Sequence, residues 1–179
     1  DDKAAEALVR ELFPSWASKA PYAPVLAEPR EVKAERIAVD TPDKENAFYR
    51  ARINLTLRDD DPDYAPLVLG NYVFGGGSGL SNRLMDRVRQ RDGISYGAGS
   101  GLLVNSRDRA AGWQIAGLVA PQNTARFEQA VREELDRMLK EGLTDKEIAD
   151  ARNGLLQERV LNRSSDGTLA ATWTGYLDL

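Results

Sequence analysis

The chain has 179 residues, 42% of them apolar, and 24 lysines and arginines against 28 aspartates and glutamates, a net charge of −4. That is enough material for one buried domain, with no disordered bias, no membrane-length apolar run, no export signal and no basic excess to draw in nucleic acid. Histidine and cysteine are both absent, which excludes disulfides, Ser-His-Asp and Cys-His catalysis, and any imidazole-dependent zinc hydrolysis completed by this chain alone.

Residues 3–12, KAAEALVREL, place Ala5, Leu8, Val9 and Leu12 at helical spacing, and the pattern ends at FPSW. KAPYAPVLAEPRE follows with three prolines and reads as an extended linker. EVKAERIAVD, residues 31–40, alternates loosely and predicts a strand. AFYRARINLTL, residues 47–57, alternates clearly, with Phe48, Ile53, Leu55 and Leu57 among its apolar positions. Asp61-Pro62 reads as a helix start, with aspartate as cap and proline at the first helical position. The helix runs through YAPLVLGNYVF and stops at the glycines. A second helix, LSNRLMDRVRQ, aligns Leu80, Leu84 and Val88 and ends at Asp92-Gly93. ISYGAGSGLLV and GWQIAGLVA read as paired strands joined by the loop NSRDRAA.

The last third is helical. Phe127, Val131, Leu135, Met138 and Leu139 make an apolar stripe closed by Gly142, and Thr144 to Glu147 is a capping box. The helix it opens carries Ile148, Leu155 and Leu156 to about Asn162–Asp166. A final pattern holds Leu169, Trp173 and Leu177. Strands followed by helices without strict alternation predict an α+β fold: one antiparallel sheet packed against helices on one face. A start at Asp1 without methionine, and a helical pattern still running at the other end, fit a piece of something longer.

Three stretches invite functional readings that their residues do not support. FGGGSG opens a helix, as anion sites do, yet no Lys-Ser or Lys-Thr pair follows and the dinucleotide glycine spacing is missing. Its glycines read as a helix C-cap and tight turn using positive φ. Asp59, Asp61 and Asp63 alternate like calcium ligands, but Tyr64 stands where the loop glycine is needed and Gly70 where the bidentate glutamate is needed. The charges of EQAVREELDRMLKEGLTDKE lie opposite the apolar stripe and read as a solvated face.

RVRQRDGISYGAGSG is different. Arg87 and Arg89 flank Val88 on opposite sides, and periodicity does not choose between them. Tyr96 begins a strand whose small residues Gly97, Ala98 and Gly99 would let another backbone approach, with a guanidinium and a phenol near its carbonyls. The same residues also read as a half-buried sheet tyrosine among surface arginines.

The order and spacing of these pieces resemble the pitrilysin/insulinase family of zinc metallopeptidases, the inverzincins. The resemblance rests on Asp61-Pro62, Phe74 to Gly77, the S-x-R-L segment Ser81 to Leu84, Arg89, and Gly93 to Tyr96, and it continues through LVAPQN and the long helices. It implies an α/β sandwich domain of a two-half peptidase. One half carries H-x-x-E-H and zinc; the other lacks zinc and contributes an arginine and a tyrosine seven positions apart. Arg89 and Tyr96 match that spacing, so the resemblance selects Arg89 over Arg87.

The implied organisation is the end of a preceding-domain helix with a Pro-rich linker over residues 1–32, then the substrate-binding C-terminal peptidase-family domain over 33–179. The implied site is Arg89 and Tyr96 as catalytic residues with Gly97, Ala98 and Gly99 binding substrate. H-x-x-E-H is absent, so the chain alone is expected to be inactive, with no cofactor of its own and with zinc in the catalytic half of the complete peptidase. Expected partners are a peptide substrate and a zinc-bearing domain or subunit, not nucleic acid or a membrane. Bacterial members are often exported, which points first to the periplasm and second to the cytoplasm. The alternative function is a catalytically inert scaffold, similar to the family's respiratory-complex core subunits.

Overall fold

In the computed structural model, which describes residues 1–77 and 82–177, three strands make an antiparallel sheet in the order β1-β3-β2. β1 is Ala47–Thr56, β2 is Ser95–Leu103 and β3 is Ala110–Val119. The fold is therefore α+β, as the order of patterns predicts. The register pairs Phe48 with Leu118 and Arg52 with Gln114 on one side of β3, and Gly99 with Ala116 on the other.

Strand alternation sends Ile115, Gly117 and Val119 of β3 towards the helices; the other face, where Asn54 meets the Arg30 carbonyl, carries Gly112, Gln114, Ala116 and Leu118. The helices are α1 (Asp2–Leu12), α2 (Tyr64–Asn71), α3 (Arg83–Met85), α4 (Thr124–Glu141), α5 (Asp145–Asn162) and α6 (Asp166–Leu177). The core between the layers is Phe74, Leu84, Val88, Ile94, Ile115, Val119, Phe127, Ala130 and Val131. Phe74 tilts against Trp113 at 5.4 Å between ring centroids, and the Trp113 indole N–H donates to Asn71 Oδ1 at 2.8 Å.

Several expectations are corrected. Residues 31–40 form no strand and are exposed. Their neighbourhood is held near β1 and β3 by side chains: Ala27 N–H donates to Asp108, Asn54 Nδ2 donates to the Arg30 carbonyl, and Arg36 pairs with Glu128. Alternation supplied the pattern of a strand, but no ladder of backbone bonds accompanies it. On β1, Phe48 and Ile53 are exposed; Leu57, just beyond the strand, is buried.

Asp61 is not the cap of α2, which starts at Tyr64. Its carboxylate accepts from the Arg58 N–H at 2.7 Å and pairs with Arg109 at 3.0 Å. Gly75, Gly76 and Gly77 do not supply positive φ, which among the described residues occurs only at Gly93 and Gly142. Gly75 instead permits close approach: a Cβ there would stand 3.0 Å from the Ser100 nitrogen. On α4, Leu139 is exposed, whereas Glu134, expected on the solvated face, is 2% exposed and paired with Arg137 at 2.6 Å. The apolar residues of α1 and Trp173 of α6 are exposed. Leu80 and Ser81 lie outside the described residues.

The end of α4 and start of α5 match expectation. Gly142 closes α4 with φ 74°, and the capping box of Thr144 and Glu147 is complete. Glu147 also accepts from Nε and Nη2 of the Arg83 guanidinium, at 2.6 and 2.7 Å, while the same Nη2 donates to the Gly142 carbonyl. This clamps α3 to the α4–α5 corner. The hydrogen bonds from Arg83 hold the Glu147 pKa at about 2, below its ordinary 4.5. A depressed carboxylate stabilises the fold above its unfolded pKa, and that contribution is lost as pH falls through the folded one. The stability advantage of the wild type over Glu147→Gln is therefore expected to shrink as pH drops from 4.5 to about 2, measured by thermal melts of both proteins.

Candidate functional site

Arg89 lies on a stretch, Asp86–Arg91, wound as π-helix, and Tyr96 lies one residue into β2. Both departures from regular structure matter. In the π turn the N–H of Asp92 donates to the Arg87 carbonyl, five residues back, so Arg87 and Asp92 stack on one side. Arg87 Nε then donates to Asp92 Oδ2 at 2.7 Å, its Nη2 to Glu133 Oε2 at 2.6 Å, and the bond to Asp92 raises its pKa further above the ordinary value. Arg87 ties the turn to α4.

Arg89 has no such tie. It is exposed, and its guanidinium carbon stands 5.0 Å from the Tyr96 ring centroid, within cation–π distance. The pair is thus brought together, and the arginine left open by periodicity is distinguished by its partners.

Tyr96 is the extra residue of a β-bulge: Ser95 pairs with Val119 and Gly97 with Leu118, with nothing opposite Tyr96. Bulges re-aim side chains at the rims of sheets. Tyr96 is 81% exposed. Ser95 staples the bulge, its hydroxyl donating to the Leu118 carbonyl at 2.8 Å and accepting the Gly97 N–H at 3.2 Å. Sequence reasoning missed Ser95; a buried-capable hydroxyl two before a strand glycine was the available signal.

The three small residues differ. A Cβ at Gly97 would meet nothing within 4 Å, so this position is open. Ala98 packs on the core, and its N–H donates to Met85 Sδ at 3.3 Å. Gly99 faces the Gly75 carbonyl oxygen, 3.2 Å from where a Cβ would be. A ladder added at this edge therefore competes with Met85 at Ala98.

These residues do not fit a catalytic zinc. The chain has no imidazole or thiolate, and among the described residues no group of three or more ligating side chains could hold a metal ion. No described helix is long and apolar enough to cross a membrane. What the site offers is a fixed cation and an exposed phenol, a pair able to hold carbonyl oxygens.

The family model of the peptidase M16 inactive domain matches residues 1–155. The peptidase M16 inactive domain from Pseudomonas fluorescens is similar at 29% identity and TM-score 0.70, over 87% of this chain and 36% of that one. A protease from Helicobacter pylori, 18% identical, shares the fold with TM-score 0.77 over 99% of this chain and 43% of its own. The periplasmic protease PqqL from Escherichia coli, 16% identical, does so with TM-score 0.68 over 99% and 19%. The chain thus spans less than half of each of these proteins. No curated protein matches. The model's match along most of the length, on a fold that these proteases share, places the chain in the peptidase M16 family as an inactive-type domain.

Proposed function

We propose that this chain is the zinc-free, substrate-binding and catalysis-assisting region of a pitrilysin/insulinase-type metalloendopeptidase, whose zinc is supplied by another domain or chain. The observation that carries the reading is the exposed Arg89–Tyr96 stack, 5.0 Å from guanidinium to ring. Peptide hydrolysis builds negative charge on the scissile carbonyl oxygen, and a pre-positioned donor favours that species over the flat substrate. Tyr96 is the donor in this scheme. Arg89, with its planar fork of donors, holds the substrate backbone. Of the three small residues proposed to bind substrate, Gly97 leaves room for that backbone beside the phenol, whereas Ala98 is tied to Met85 and Gly99 lies close to the Gly75 carbonyl. The likeness to a periplasmic protease supports the periplasm as the compartment. In this reading residues 1–32 are the end of a preceding-domain helix and a Pro-rich linker, leading into the substrate-binding domain over 33–179.

The scaffold alternative draws on one observation, the Ala98 N–H already taken by Met85. Kinetics of Arg89→Ala in the complete peptidase separate the two. KM is expected to rise by roughly ten- to a hundredfold, the loss of one charge-assisted hydrogen bond made in the ground state. Zinc content and melting temperature should match wild type. Unchanged kcat/KM would favour the scaffold.

The isolated chain, after dialysis, is expected to carry no stoichiometric zinc and to cleave no fluorogenic peptide, because only oxygen ligands are available to it. One tightly held zinc per chain would overturn the division of labour.

A further inference from the structure

The sheet face away from the helices carries Phe48, Arg50, Arg52 and Asn54 on β1, then Leu118, Ala116, Gln114 and Gly112 on β3; Asn54 donates to the Arg30 carbonyl, and Phe48, Arg50 and Arg52 are exposed. No carboxylate stands in these rows. Each arginine is positioned by a neutral group. Arg50 Nη2 donates to the side-chain oxygen of Gln114 at 2.5 Å. The Arg52 guanidinium lies across Gly112, where a Cβ would come within 2.9 Å of its Nη2. Arg89, near the bulge, rests on the Tyr96 ring. Elsewhere the arginines that position structure are neutralised by acids: Arg58 by Asp60, Arg83 by Glu147, Arg87 by Asp92 and Glu133, Arg109 by Asp61. Among the described residues, Arg50, Arg52 and Arg89 have no carboxylate partner. In a chain of net charge −4, this face keeps fixed and uncompensated positive charge.

From this we infer the substrate class: the face binds an extended acidic peptide, with carboxylates two residues apart over Arg50 and Arg52 and an apolar side chain over Phe48 and Leu118. Arg50 and Arg52 are two residues apart on one strand, about 7 Å, and an extended peptide repeats its side chains on one face at the same interval. Phe48 is 66% exposed and pairs with the half-exposed Leu118 beside the open Gly97, so the apolar end of the footprint leads to the bulge that carries Tyr96. A peptide fits better than a longer polyanion, because the cationic patch is short and one end of it is apolar. The inference rests on the peptidase reading for the direction in which the peptide continues.

The test uses the whole 179-residue chain and fluorescein-labelled peptides in anisotropy titrations at low and high ionic strength. One peptide has acidic residues at alternate positions next to a leucine; a second replaces each acid by its amide; single-stranded DNA of similar length is the third probe. The acidic peptide is expected to bind roughly tenfold more tightly than its amide counterpart at low salt, the yield of a few exposed, charge-assisted contacts. Arg50→Gln and Arg52→Gln should each remove much of that difference. Arg126→Gln, an exposed arginine on α4, should leave it intact, and circular dichroism confirms that each variant folds. Equal binding of the acidic and amide peptides overturns the acidic preference while leaving the peptidase reading in place. Tighter binding of DNA, or loss of preference in Arg126→Gln, overturns it as well, as does the absence of binding by any peptide. The peptidase reading is judged separately, by Arg89 and Tyr96 variants acting on a substrate without acidic residues.

Discussion

Tyr96→Phe in the complete peptidase is expected to lower kcat by roughly a hundredfold to a thousandfold, the usual loss when one oxyanion donor is removed. The substitution is narrow. The ring stays, so Arg89 keeps the face it rests on, and the Ser95 staple that shapes the bulge does not involve the phenol. Only the O–H donor disappears. A donor that strengthens as charge develops affects kcat and kcat/KM together, whereas one that holds the ground state shows in KM. Arg89→Ala is the second case and Tyr96→Phe the first, so the two variants should separate on these axes. Steady-state kinetics with parallel zinc content and thermal melts decide it. If kcat/KM is unchanged in Tyr96→Phe, Tyr96 is a sheet residue only and the scaffold reading gains.

The largest effect on stability is expected at Phe127. Its ring is fully buried, tilts against Tyr49 at 5.2 Å, and lies on β3 over Gly117, where a Cβ would stand 2.2 Å from the ring. β3 is the central strand, so Phe127 joins α4 to the middle of the sheet. Phe127→Ala removes the ring and leaves a cavity that a glycine on the opposite side cannot fill; a loss of about 3–5 kcal/mol is expected. Gly117→Ala attacks the same contact from below by overpacking and is expected to cost about 1–3 kcal/mol. The two should be non-additive, since both act on one contact. Urea melts of the singles and the double measure this, and a loss under about 1 kcal/mol for Phe127→Ala would contradict the packing.

What could be read from the sequence was local. The Thr144–Glu147 box and the Gly142 stop depend on a few adjacent residues, and both stand as expected. The paired strands after Gly93 were legible for the same reason. Residues 31–40 show the limit: alternation describes one strand, while a ladder needs a partner in register, which no single segment encodes. Glu134 shows another. Its position reads as polar surface until Arg137, one turn on, makes its burial tolerable. Of the candidate pair, the spacing of Arg89 and Tyr96 was visible, but the means of bringing them together was not. The π turn and the bulge are departures from period, and periodicity is blind to them.

Those two departures have a joint consequence for how such a site can be gained or lost along a lineage. A π turn is an α-helix with one residue inserted, and a bulge is a strand with one residue inserted. The interval from Arg89 to Tyr96 depends on both insertions, at Asp86–Arg91 and at Tyr96. Deleting a single codon from the turn is expected to restore regular winding and to turn Arg89 away from the tyrosine, with Leu84 and Ile94 on either side still in the core sequence. Deleting one from the bulge regularises β2 and removes the residue that faces out. In the proposed reading, one in-frame deletion at either place, sparing Val88, would therefore separate Arg89 from Tyr96 while keeping every core residue in the sequence.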